Sequence, residues 1–146
     1  GTSNDDAIIG ASGADTLQGA QGNDTLTGGG GADQLTGGIG NDVFYYSSDS
    51  QFGDTITDFT AGGSGDKMVF LSSYFTGFTS TAVLSSTYFV TGSAAGGADD
   101  RFIFETGSGN LYYDSDGNGA TSQVLVAAIT LDSGTFSASV IYISST

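Results

Sequence analysis

The 146-residue chain has no cysteine, histidine, proline or tryptophan, and its only basic residues are Lys67 and Arg101. Without cysteine there is neither a disulfide framework nor a thiolate zinc site to hold the fold. Without histidine there is no imidazole for acid–base chemistry or for binding a transition metal. Sixteen acidic residues against two basic ones give a formal net charge of −14. Such a surface repels nucleic-acid phosphates and anionic headgroups, so neither nucleic acid nor membrane is an expected partner. No apolar run approaches the ~18 residues of a membrane span, and no N-terminal signal peptide is visible. The sequence opens directly on a repeat, as a piece cut from a longer protein would.

What is abundant is glycine and aspartate, at regular places. In nines, the first 45 residues read GTSNDDAII, GASGADTLQ, GAQGNDTLT, GGGGADQLT and GGIGNDVFY. The sixth place is always Asp (Asp6, Asp15, Asp24, Asp33, Asp42), and the eighth is always apolar (Ile8, Leu17, Leu26, Leu35, Phe44). The first place is always Gly. The fourth is Gly at Gly13, Gly22, Gly31 and Gly40, with Asn4, which also tolerates positive φ, in the first repeat. Each unit reads as a tight turn ending in Asp, then a strand of about three residues with its middle side chain inward. The fifth place alternates: Asp5, Asn23 and Asn41 in the odd repeats, Ala14 and Ala32 in the even ones. A coil with two turns per circuit explains this alternation. It lines Asp6, Asp24 and Asp42 along one edge, and Asp15 and Asp33 along the other.

Stacking turns ~4.8 Å apart brings like charges together, which opposes folding. One apolar side chain per repeat is too thin a core to overcome that repulsion and the entropy of ordering the chain. A cation between the carboxylates supplies the missing attraction. Ca²⁺ suits an all-oxygen site, from the Asp carboxylates and the carbonyls of the glycine turns, with Gly13, Gly22, Gly31 and Gly40 as candidate donors. Mg²⁺ demands a smaller, stricter octahedron.

The repeats closely resemble the repeats-in-toxin family of consensus G-G-x-G-x-D-x-U-x, best in Gly28–Thr36 and Gly37–Tyr45. The resemblance implies an all-β fold, a parallel β-roll over residues 1–45 capped by a β-rich region over 46–146. It also implies Ca²⁺ between same-edge turns, pairing Asp6 with Asp24, Asp24 with Asp42, and Asp15 with Asp33.

Beyond Tyr45 the period stops, and Tyr46–Gly53 reads as a polar linker. Asp54–Phe59 alternates as a strand, with Lys67–Leu71 as its partner across a Gly/Ser turn. A D-x-I-x-D-F segment commonly follows the last repeat in the family. By that resemblance Asp58, or Asp54, serves the last Ca²⁺ on Asp33 or Asp42; otherwise Asp58 is an exposed strand carboxylate. Ser72–Gly97 reads as strands only. Arg101–Glu105 and Leu111–Tyr113 flank a TGSGN hairpin, and Val124–Leu131 and Val140–Ile143 read as buried strands. In DSDGNG, residues Asp114, Asp116, Asn118 and Gly119 match places one, three, five and six of an EF-hand loop. Leu125 stands where the twelfth-place Glu belongs, so the segment reads either as a further Ca²⁺ site or as a hairpin turn.

Catalysis has little to work with: no His, no Cys, one glutamate (Glu105) and no evident carboxylate pair outside the roll. The chain is expected not to be an enzyme. The family resemblance implies a secreted module of a Gram-negative-type bacterium, extracellular or at the cell surface. There it folds on Ca²⁺ outside the cell, with type I secretion machinery as partner and an uncleaved C-terminal signal. The alternative is a ligand-binding module, an adhesin tip or a polysaccharide-binding unit like those of alginate epimerases. Polyuronate binding, however, wants a basic groove, and only Lys67 and Arg101 are at hand.

Overall fold

In the computed structural model, residues 1–78, 82–118 and 121–146 are described. The five repeats supply strands Ala7–Ile9 (β1), Thr16–Gln21 (β2), Thr25–Thr27 (β3), Gln34–Ile39 (β4) and Val43–Tyr46 (β5). Odd strands lie in one sheet and even strands in the other, because each Gly-rich turn carries the chain across from sheet to sheet. The register is parallel with an 18-residue offset: Ile8 faces Leu26, Leu26 faces Phe44, and Leu17 faces Leu35. Two turns per circuit, the architecture expected from the fifth-place alternation, is what the chain builds.

Each repeat turns three positions inward rather than one. Along Asp24, Leu26 and Gly28, and again along Asp33, Leu35 and Gly37, buried residues alternate with more exposed ones. This is the period-two face of a strand. β2 and β4 exceed the expected three residues, because the turn backbone stays in register through Ala20–Gly38 and Gln21–Ile39.

The ladders do not stop with the repeats. Asp54–Thr60 (β6) pairs with β4, and Lys67–Leu71 (β7) pairs with β5, both parallel. β6 and β7 are therefore not hairpin partners, as the sequence had suggested; they lie in opposite sheets. The Gly62–Gly65 segment between them carries the chain over an edge, as each repeat turn does. Nor is Tyr46–Gly53 a plain polar linker. Tyr46 belongs to β5, is 1% exposed and stacks on Phe70, and Phe52 packs between Tyr46 and Phe75.

The C-terminal residues complete both sheets. Val124–Ser133 (β11) adds parallel to β6, and Ile141–Ser144 (β12) adds parallel to β7. Phe102–Glu105 (β9) and Asn110–Tyr113 (β10) form the expected antiparallel hairpin; β10 pairs with β11, and Phe89–Thr91 (β8) pairs with β9. One sheet thus runs β1-β3-β5-β7-β12, and the other β2-β4-β6-β11-β10-β9-β8. Ser72–Gly97 holds a short 3-10 turn at Ser86–Tyr88 besides β8; residues 79–81 lie outside the described part.

The core is one body. Leu26, Leu35 and Phe44 continue through Ile56, Met68 and Phe70 into Phe102, Leu111, Val126 and Phe136. The division expected after Tyr45 falls inside β5 and inside this core, so the fold does not part there. Burying each such side chain contributes about 1.5–3 kcal/mol, and the aromatic half compensates for the thin repeat half.

Ala20 has φ +86, the only described non-glycine residue with positive φ, at a place where later repeats carry Gly29 and Gly38. A Cβ there is strained by about 1 kcal/mol. Ala20→Gly is expected to raise the thermal midpoint of the Ca²⁺-loaded protein, read by calorimetry. A lower midpoint would mean the added freedom of the unfolded chain outweighs the relieved strain.

Candidate metal centre

The sixth-place aspartates form two hydrogen-bonded ladders. On the first edge the N–H of Asp6 donates to Asp24 Oδ1, that of Asp24 to Asp42 Oδ1, and that of Asp42 to Asp66 Oδ1, each at 2.8 Å. On the second edge the N–H of Asp15 donates to Asp33 Oδ1 at 2.8 Å, and that of Asp33 to Asp54 Oδ1 at 3.0 Å. The fifth place adds a parallel ladder on the first edge only, where Asn23 N–H donates to Asp5 and Asn41 N–H to Asn23. Alanine occupies that place on the second edge.

Each carboxylate thus spends one oxygen on the backbone of the preceding turn. The other oxygen of Asp24, Asp33 and Asp42 is buried and finds no partner among the described residues. A buried, unpaired carboxylate oxygen costs several kcal/mol unless a cation meets it. At the ends the pattern differs. Asp6 and Asp15, half-exposed, accept N–H bonds from Thr2 and Ala11 of their own turns. Asp54 accepts the Tyr46 hydroxyl at 3.0 Å, and Asp66 accepts the Thr60 N–H at 2.8 Å.

The first-place glycines explain themselves here. A Cβ on Gly19 would collide with Asp24 Oδ2 and with the carbonyl oxygen of Gly37. Gly1 faces Asp6 Oδ2 and the Gly19 carbonyl in the same way, and Gly10 faces Asp15 Oδ2 and the Gly28 carbonyl. A carboxylate oxygen from one turn and a carbonyl oxygen from the next therefore share one small space. It recurs at the interfaces Asp6/Asp24, Asp24/Asp42 and Asp15/Asp33. The fourth-place glycines are positioned differently. Gly13, Gly22, Gly31 and Gly40 all have positive φ and stack backbone on backbone, Gly31 over the Gly13 carbonyl and Gly40 over that of Gly22.

Among the described residues no group of three or more carboxylates stands close enough to hold a metal ion by itself. The donor set is instead paired carboxylates with backbone carbonyls, a hard all-oxygen environment that fits Ca²⁺ and leaves nothing for soft metals. These residues would hold the ion and cancel the repulsion along each edge. Burial foremost, with the charges of Asp66, Asp24 and Asp58, pushes Asp42 up to about 6. Burial and the charge of Asp33 push Asp54 up to about 6, and burial raises Asp66 as well.

A pH dependence follows for the ion-free protein. A carboxyl raised in the fold favours the protonated form there. Its stabilisation is complete below the unfolded value of 3.8 and is lost as pH rises through about 6. In Ca²⁺-free buffer the fold should therefore be more stable at pH 4.5, where a thermal transition is expected, than at pH 7.5, where the chain is largely unfolded. In saturating Ca²⁺ the order should reverse, because protons compete with the ion. The same order in both buffers would refute the ladder as the seat of binding.

Of the residues singled out beyond the repeats, Asp58 lies in β6 and accepts the N–H groups of Gly37 at 2.9 Å and Gly38 at 2.7 Å. It is half-buried at the first edge, not a free strand carboxylate. Asp54 continues the second ladder. Asp66 escaped the sequence reading, although its signal was present: GGSGDKMV repeats the nonapeptide with the fifth place deleted. Met68 then occupies the eighth place, opposite Phe44. Asp114, Asp116 and Asn118 lie in the connection from β10 to β11. There Asp116 N–H donates to Asp114 Oδ1 at 3.1 Å, and Thr121 N–H to Asp116 Oδ2 at 3.1 Å. Leu125, at the would-be twelfth place, is a strand residue paired with Tyr112, and Gly119 lies outside the described residues.

The sequence model of the RTX calcium-binding nonapeptide repeat, four copies long, matches residues 1–35 and again 9–44. No curated protein matches the chain. The two-edged aspartate ladder over residues 1–44 is thus an array of RTX nonapeptide repeats, and such repeats bind Ca²⁺.

Proposed function

We propose that this chain is a calcium-driven folding module of a larger exported protein, itself without catalytic activity. The observation that carries the reading is the row of buried, unpartnered carboxylate oxygens on Asp24, Asp33 and Asp42. Such a fold is unfavourable where Ca²⁺ is scarce, as inside a cell, and favourable where it is abundant, outside. The uncleaved C-terminal signal implied by the family resemblance would then pass a type I transporter as unfolded chain.

The C-terminal segment supports this timing. Phe136, Val140, Ile141 and Ile143 are all buried, and β12 is a strand of the roll. A transporter could read this segment only before the module folds. Residues 99–146 fused behind a reporter, in a host with a matching transporter, should be exported. Folding of the module by external Ca²⁺ should then bias passage outward. Intracellular retention of that fusion, with the transporter shown active on its own substrate, would refute the export role.

One observation favours a second role, ligand binding. A cavity of about 240 Å³ is walled by Phe52, Tyr74, Phe75 and Tyr113, with Asp49 and Ser122 at its lining. Aromatic faces with hydroxyl and carboxylate acceptors suit a neutral saccharide. A polyuronate is disfavoured, since Lys67 lies over the Tyr142 ring and Arg101 donates to the Ala98 carbonyl. Saccharide binding that survives Tyr74→Ala unchanged would exclude this cavity.

A further inference from the structure

Two of the large apolar side chains left exposed, Tyr74 and Val124, line the aromatic cavity. The other rings there form a corner, not a platform. Phe52 and Phe75 stack on each other, with centroids 5.6 Å apart and planes 21° apart. Tyr113 stands across both, at 88° to Phe75 and 68° to Phe52, with centroids 5.3 and 6.3 Å away. Tyr74 lies 6.0 Å from Phe75, tilted by 55°. A sugar ring stacks on one flat face, whereas walls near a right angle enclose a compact, rounded group. We propose that this cavity binds a quaternary ammonium group, held against these rings and by the Asp49 carboxylate. The proposal rests on the ligand-binding reading of the cavity and replaces the neutral ring with a cation.

Charge points the same way. A cation within about 6 Å of an aromatic ring is drawn to its quadrupole. Asp49 opens the 3-10 turn Asp49–Gln51, is exposed, and lines the cavity. Burial foremost raises the Tyr113 hydroxyl; Arg101 opposes the rise, and Asp114 and Asp49 add to it. Two carboxylates and one guanidinium therefore act at this wall, and that guanidinium donates to the Ala98 carbonyl. The formal charge of −14 deepens the negative potential, which a cleft with low-dielectric walls focuses. A trimethylated nitrogen has no N–H to satisfy, so it enters an apolar enclosure more readily than a strongly hydrated primary ammonium. At about 240 Å³ the cavity is smaller than the ~300–1,000 Å³ of pockets for drug-sized ligands, so it takes one small group, not an oligosaccharide.

The walls are built with the fold. Phe75 is buried and meets the core ring of Phe70 at 5.2 Å. Phe52 packs edge-on against Tyr46, whose hydroxyl donates to Asp54 at the end of the second ladder. Rings fixed in this way need little ordering when a ligand arrives, which lowers the cost of binding.

The Ca²⁺-loaded protein is titrated with choline, with neohexyl alcohol (its uncharged carbon isostere) and with methyl glucoside, followed by protein-observed NMR. Choline should bind at least about tenfold more tightly than neohexyl alcohol and should shift the ring signals of Tyr74 and Phe75. Tyr74→Leu and Asp49→Asn should each weaken choline about two- to fivefold. Asp132→Asn, an exposed carboxylate at the far end of β11 from Val124, should leave it unchanged. Equal binding of choline and its isostere would refute the cation. Binding of methyl glucoside without choline would overturn this proposal and leave the saccharide reading standing. No binding of any of the three would sink ligand binding at this cavity altogether. Choline affinity untouched by both Tyr74→Leu and Asp49→Asn would place the cation elsewhere and remove this site. Should either variant misfold, the ring shifts of Tyr74 and Phe75 in wild type decide, and their absence overturns the assignment.

Discussion

Removing Ca²⁺ at neutral pH is expected to unfold the whole chain, not only residues 1–45. The repeats hold three buried carboxylate oxygens without partners, and Asp42 is charged only against burial and three neighbouring carboxylates. Each ion bound at a thousandfold excess over its Kd stabilises the fold by about 4 kcal/mol. Losing two or three such contributions, about 8–12 kcal/mol, is comparable with the ~5–15 kcal/mol by which a domain is ordinarily stable. The C-terminal half cannot stand aside. β7 and β12 share a sheet with β5, and the core runs unbroken from Leu26 to Phe136. Far-UV circular dichroism should lose its β signal on chelation. The near-UV signal, which reports buried rings such as Tyr46 and Tyr113, should vanish at the same Ca²⁺ midpoint. Separate midpoints would show that the C-terminal half folds by itself. Spectra indifferent to chelation would overturn the metal centre.

The second large effect is expected at Asp24. Its carboxylate is fully buried, takes the Asp6 N–H and reaches toward the turn of Gly37, so it borders two same-edge interfaces. Asp6 is half-exposed, borders one interface, and has Thr2 to satisfy it; that hydrogen bond holds its carboxyl below the usual range. Asp24→Ala removes a ligand from two sites and takes the acceptor from the part-buried N–H of Asp6. Asp6→Ala removes a ligand from one site at the open end of the roll. Calorimetric titration should show at least about tenfold weaker Ca²⁺ binding for Asp24→Ala than for Asp6→Ala, a difference of ~1.4 kcal/mol. Equal losses would argue against ions seated between same-edge turns.

The repeat half of this molecule was legible residue by residue, because each position answers to a local cause. Asp recurs where the ladder needs an acceptor, an apolar residue where the strand faces inward, and glycine where φ is positive or where a carboxylate crowds the Cα. The fifth-place alternation of Asn and Ala even encodes the two edges. Where the turns lengthen, that local grammar fades. Asp33 and Asp54 are 21 residues apart and Asp42 and Asp66 are 24, instead of 18, so a search at fixed period passes over both partners.

What the chain order alone settled is the parallel roll over its first third and the aspartates on its two edges. Only the tertiary structure decided how the roll ends. β6 and β7 could have paired with each other as a hairpin, since their alternation suits either arrangement. They separate because Gly62–Gly65 and Asp66 rebuild a roll turn, and because Asp42 and Asp33 offer N–H groups that Asp66 and Asp54 accept. Likewise nothing local in Val124–Ser133 or Ile141–Ser144 says that these strands lie parallel to β6 and β7. That choice belongs to contacts between residues more than seventy positions apart, such as Ile129 with Ile56 and Ile141 with Met68, which no periodicity records.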